Sequence, residues 1–226
     1  MRRIVFCAGV ALLAGCAAVG PFDSVNQGPY YVPANHVGEA SLGGLRRVVV
    51  LPIYGGSVAP VETVAALDPV LVEALQHQNR FEIVCLSREE SLRRFRVDGF
   101  SSAAALPHDL LKVLQEAFAA DGVLFVDLTV FSAYRPLAIG LRSRLAAIQG
   151  GRLVWTFDEV FSAENPAVVN SARLHVLGTD GVGIPGDLSR SVLQSPGRFA
   201  GYAAAAMFAT LPPVVAPPPP VKKAGR

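Results

Sequence analysis

The sequence is short of the residues from which most enzymes and metal proteins are built. It has four histidines, at 36, 77, 108 and 175, and no two sit in a His-x-x-x-His spacing. Three cysteines, at 7, 16 and 85, form no Cys-x-x-Cys pair. Metal sites need such ligand pairs on one turn or one loop, so no metal and no metal-type cofactor is expected. There is no Gly-Lys-Ser/Thr phosphate loop, and residues 55–59 lack the final glycine of a Gly-x-Ser-x-Gly elbow. One run, at 181–186, matches Gly-x-Gly-x-x-Gly by letter. It contains Pro185 and has no βαβ unit behind it, so it reads as a loop and not as a dinucleotide site. The chain also lacks a surplus of charge. The formal net charge is +2, and Arg2, Arg3, Lys222, Lys223 and Arg226 are all terminal, so the body between them stands at −3. That is no electrostatic footprint for nucleic acid. No apolar run reaches the ~20 residues of a spanning helix.

What is present begins at the N-terminus. Arg2 and Arg3 precede an apolar run over 4–15, which then meets Cys16. A short basic stretch before about 12 apolar residues is the pattern of an export signal. Leu13, Ala14, Gly15 and Cys16 resemble the lipobox of bacterial lipoprotein precursors, which implies cleavage before Cys16 and lipidation of its thiol. One acyl chain binds a membrane only marginally, whereas several, palmitate among them, anchor it stably. Ala17 in place of Asp resembles the sorting signal for the outer membrane, on its periplasmic face. With Cys7 in the signal and Cys16 acylated, Cys85 has no disulfide partner. Its strand-like surroundings suggest a buried, inert thiol over a reactive one.

The remaining chain divides into three parts. Residues 16–44 hold Gly20-Pro21, Gly28-Pro29 and Pro33 without sustained periodicity, and are expected to be a flexible tether reaching about 90 Å if extended. Residues 45–211 are expected to form one α/β domain. Residues 212–226, with prolines from 217 to 220, read as an extended, disordered tail. Within the domain, the apolar run ending Val50-Leu51-Pro52 predicts a central strand. A helix is expected to start with Asp68 as N-cap and Pro69 at its first position. A second strand is expected over 81–86, and Ser87 to Glu90 form a capping box. Pro107 is expected to open a helix. Three long strand-like runs, 122–133, 136–148 and 152–162, predict an antiparallel meander. In the second run Leu137, Ile139, Leu141 and Leu145 alternate with Arg142 and Arg144, so one face is covered and one is open. The stretch 163–195 is the least legible. Residues 171–177 are expected to add a strand, and Ser195 with Pro196 predicts a last helix.

The order strand, helix, strand, helix, meander, helix resembles the domain of a group of envelope lipoproteins: CsgG, PelC, LpoB and the N-terminal domain of TolB. The resemblance rests on Arg47 to Pro52, on Asn79 to Val84 after a helix, on Ala120 to Leu124 entering a strand, and on Gly151 to Trp155 after a turn. It implies a mixed central sheet with a C-terminal antiparallel meander and helices on one or both faces. It further implies a non-catalytic, oligomerising accessory factor of an export, polysaccharide or cell-wall machine. A secretion channel subunit is the alternative, and a periplasmic enzyme a weaker one. The channel would need long amphipathic insertions, and the strand-to-helix links here are shorter than a pair of spanning strands.

Two residues stand out as candidates for contact with a partner. Arg142 and Arg144 lie on the open face, and arginine is enriched at protein interfaces. The plainer expectation is that they form cross-strand salt bridges with Asp127.

Overall fold

The computed structural model describes residues 23–179 and 188–214. Cys16, the Gly-rich run at 181–186 and the proline tail from 215 onward lie outside them. The core of the fold is a six-stranded mixed sheet in the order β1-β6-β5-β4-β2-β3. β1 is His36–Gly38, β2 Arg47–Val50, β3 Glu82–Cys85, β4 Gly122–Ser132, β5 Ala138–Ala147 and β6 Leu153–Ser162. β2 is parallel to both β3 and β4, while β4, β5, β6 and β1 run antiparallel in succession. The α/β class and the meander are therefore as the alternation of residues predicts.

Helices cover both faces. Among the described residues the α-helices are α1 Ser24–Gln27, α2 Val61–Gln76, α3 Arg88–Phe95, α4 Leu110–Phe118, α5 Pro166–Thr179 and α6 Pro196–Phe208. On one face α2, α5 and α6 bury the main core, which holds Trp155, Phe157, Phe161, Phe199 and Phe208. Each such side chain taken out of water contributes about 1.5–3 kcal/mol. On the other face a smaller core joins Val49, Val123 and Phe125 to Leu110, Leu114 and Phe100. That second core lies over β2 and β4. The β5, β6 and β1 side of the same face is the open one.

Two of the expected caps form. Ser87 accepts a hydrogen bond from the Glu90 amide, and Ser195 accepts one from the Arg198 amide. Four expectations need correction. First, α2 does not begin at Asp68: it runs from Val61 straight through Pro69. A proline inside a helix costs about 3 kcal/mol. The buried stripe of Val64, Leu67, Leu71 and Leu75 crosses the proline without a break, so packing outweighs that local cost. Asp68 is used elsewhere. It accepts from the Ile53 amide at 3.0 Å and pairs with Arg88 at 2.6 Å.

Second, residues 171–177 are not a strand but the second half of α5. The Asn165 side chain accepts from the Ala167 amide at 2.9 Å, ahead of Pro166, and Val168, Ala172 and Val176 line one buried face at every fourth residue. Third, Cys85 is exposed, because β3 is an edge strand. Partial burial of its thiol, with Asp68 nearby, still raises its pKa, which keeps it a poor nucleophile.

Fourth, residues 23–44 are not free tether. β1 adds to the edge of β6, with Val37 opposite Thr156. Leu42 is buried, and its amide donates to the Pro213 carbonyl at 3.0 Å. The missing periodicity misled because this segment is held by side-chain bonds and one short strand, which leave no repeating signature.

Candidate protein-contact surface

The open face is built by three neighbouring strands. Their register places Arg142 between Asp127 on β4 and Asp158 on β6, and Arg144 between Phe125 and Thr156. Successive residues of a strand alternate faces, so Arg142, Arg144, Thr156, Asp158 and Val37 share one side. Gly140 and Val160 continue it. Gly140 sits beside a bulge in β4, where a Cβ would run into the Thr129 hydroxyl and the Val130 amide. Only glycine lets the two strands stay paired there. Val37 is 73% exposed and Val160 47%, so the face presents apolar side chains around a polar centre.

Both arginines are held in place. Arg142 Nε donates to Asp158 Oδ2 at 2.7 Å, across the strand pair. Arg144 Nη1 donates to the Ser102 carbonyl at 2.6 Å. Between them a shallow concavity of about 280 Å³ is lined by Asn35, His36, Arg142, Arg144, Thr156 and Asp158. Such a surface offers guanidinium and carboxylate groups with much of their rotamer freedom already removed. That lowers the entropy cost of binding.

Asp127 does not pair with either arginine, contrary to the plainer expectation. Asp127 is 4% exposed, and its carboxylate faces the loop that precedes α4. There it accepts from the Ser102 amide at 2.8 Å, the Ser102 hydroxyl at 3.0 Å and the Ser101 hydroxyl at 3.2 Å. Asp127 from below and Arg144 from the side therefore clasp one loop against the edge of the open face. Asp158 and the two serines were the residues missed. Asp158 could have been found from its alternation with Trp155 and Phe157. The serines lie in a loop without any pattern.

A second polar cluster lies on the opposite side. Arg173 of α5 is 2% exposed and gives its two terminal nitrogens to Asp23 at 2.8 and 2.9 Å, and its Nε to Ser189 at 3.0 Å. The hydrogen bonds from Arg173 and the Val25 amide hold the Asp23 carboxyl well below the usual carboxylate range. Further along, Tyr31 donates from its hydroxyl to Glu159 at 2.5 Å and lies edge-on to Phe161. Burial, with Glu159 beside it, raises the pKa of the Tyr31 phenol. Burial opposes the charge on Glu159, but donors from Tyr31, Asn35 and Ala34 outweigh it and the pKa falls.

Of the histidines, His77 caps the C-terminus of α2, His36 opens β1 and His175 sits on α5 near Tyr202. Among the described residues, no three His, Cys, Asp or Glu side chains converge as a metal site would require. No described helix is long and apolar enough to cross a membrane.

No protein-family model matches the sequence, and no curated protein matches it. Solved structures do resemble it in fold. Lipoprotein GNA1162 from Neisseria meningitidis is 15% identical, covering 65% of this chain and 93% of its own, with a TM-score of 0.39. The PelC dodecamer from Paraburkholderia phytofirmans is 10% identical over 74% of this chain and 94% of its own, with a TM-score of 0.40. The LpoB C-terminal domain from Salmonella enterica is 15% identical over 55% and 84%, with a TM-score of 0.33. PelC and LpoB belong to the group that the sequence resembles. Identity this low speaks to fold alone.

Proposed function

We propose that this chain is a lipid-anchored docking module of the cell envelope, tethered through Cys16 at the periplasmic face of the outer membrane and acting without catalysis. The observation that carries the docking role is the open half-sheet. A domain of this size covers one half of a sheet face with α4 and leaves the other half to Arg142, Asp158 and Arg144, all pre-oriented. An uncovered face with exposed valines around ordered charges suits a protein partner better than it suits water. The partner belongs to an export, polysaccharide or cell-wall machine, and further copies of this chain are part of the same assembly.

Photo-crosslinking in cells tests it. A crosslinkable residue at Thr156 or Val160 is expected to capture a defined envelope protein or a second copy. The same residue at Gln76, exposed on the opposite side, is expected to give no such adduct. Equal, scattered adducts at both places would sink the docking role. Acylation is read separately, from the mass of the mature protein and its loss in Cys16→Ala.

A further inference from the structure

The N-terminal segment is bound along α5, and this limits where the lipid can be. Asp23 is pinned to Arg173, the Pro29 carbonyl accepts from the Asn170 side chain at 3.1 Å, and the Tyr31 amide donates to the Ser171 hydroxyl at 2.8 Å. The chain thus leaves the domain at the Arg173 side, not at residue 45. From Cys16 to Asp23 is only seven residues. Whatever their conformation, they span at most about 25 Å.

Several exposed apolar side chains stand around that exit. Leu174 follows Arg173 and lies one turn on from Asn170, on the face of α5 that holds the segment. Leu188 adjoins Ser189, which binds the same arginine. Tyr30 and Val32 lie in the segment itself, and all four are exposed, Val32 by 78% and Leu188 by 57%. Arg190, also exposed, is close enough to Asp23 to help lower its pKa. Exposed aliphatic and tyrosine side chains with a cation among them match the chemistry of a lipid–water interface.

We infer that this patch, Tyr30, Val32, Leu174, Leu188 and Arg190, rests on the lipid surface, so that the domain is held close to the membrane in one orientation. The inference rests on the lipid anchor at Cys16. It replaces a freely swinging domain with one whose opposite end points away. That end is the turn between β5 and β6, at the far side of a ten-residue strand from Phe161. Phe161 packs on Tyr202, which in turn meets His175 of α5, so α5 lies at the near end.

The test uses the full-length lipidated protein with Cys85→Ala and a single introduced cysteine carrying a fluorophore. Leu174→Cys, Leu188→Cys and Val32→Cys are compared with Gln149→Cys in vesicles of phosphatidylethanolamine and phosphatidylglycerol that contain a spin-labelled quencher lipid. The three patch positions are expected to be quenched severalfold more than position 149. Equal quenching, or stronger quenching at 149, overturns the orientation while leaving the anchor intact. A mature protein whose mass shows no acyl group at Cys16 overturns the anchor itself, and the orientation with it.

Discussion

Two arginine–aspartate pairs of the same chemistry do different work in this molecule. The side chain of Arg173 is 3% exposed and that of Asp23 22%, and they join residues 150 positions apart. The side chain of Arg142 is 35% exposed and that of Asp158 42%, and they join neighbouring strands. Ions taken out of water must stay paired, because either one left alone carries its full desolvation cost. Ions that stay wet gain about 0–1 kcal/mol from each other and can exchange partners. The first pair is therefore a lock on the N-terminal segment. The second is a surface that a partner can use.

The largest expected effect breaks the lock. Asp23→Ala takes a carboxylate away from the buried Arg173 guanidinium, which keeps its bond to Ser189; this should cost about 3–5 kcal/mol in urea unfolding. If the segment peels away first, the loss will show as protease cleavage before β1 with a smaller change in the midpoint. An unchanged midpoint together with unchanged cleavage would abolish the distinction between the pairs.

Acid should act in the same direction. The folded pKa values of Asp23 and Glu159 are both depressed. Their stabilisation is complete above the unfolded carboxylate range near pH 4 and is lost as pH falls below it toward the folded values. Stability of the native protein should thus fall between about pH 4 and 2 more steeply than that of Asp23→Asn. Parallel curves would contradict this.

A smaller cost is expected at the loop clasp. Asp127→Ala leaves the Ser101 and Ser102 donors without their acceptor and should cost about 1–3 kcal/mol, with faster amide exchange at residue 102. Protection unchanged at that amide would mean the loop is held by Arg144 and Phe100 without Asp127.

The smallest effect on stability belongs to the open face. A double-mutant cycle on Arg142→Ala and Asp158→Ala should give a coupling of about 0–1 kcal/mol. The same variants should lose crosslinking from Thr156. A coupling well above that range with crosslinking intact would make the face structural instead of functional.

The strand alternation around Leu141, Arg142, Leu145, Trp155 and Phe157 identified the open face, because period two is a local property of a half-buried strand. The partner of Arg142 was not legible. Asp127 and Asp158 both stand opposite it in the register, and the choice was made by the Ser101–Ser102 loop taking Asp127. The lock was invisible for a similar reason. Nothing near Asp23 or Arg173 signals a bond across 150 residues.

By itself the sequence determined the order of strands and helices from β2 to β6, the caps at Ser87 and Ser195, the meander and the two faces of β5. It also carries the whole case for the lipid at Cys16. These are short-range signals, written in residues a few positions apart. Tertiary structure alone decided that α2 continues through Pro69 and that the segment from Asp23 lies along α5. In each case burial of side chains from distant parts of the chain outweighed a local preference of a few kcal/mol. No window of neighbouring residues contains that sum.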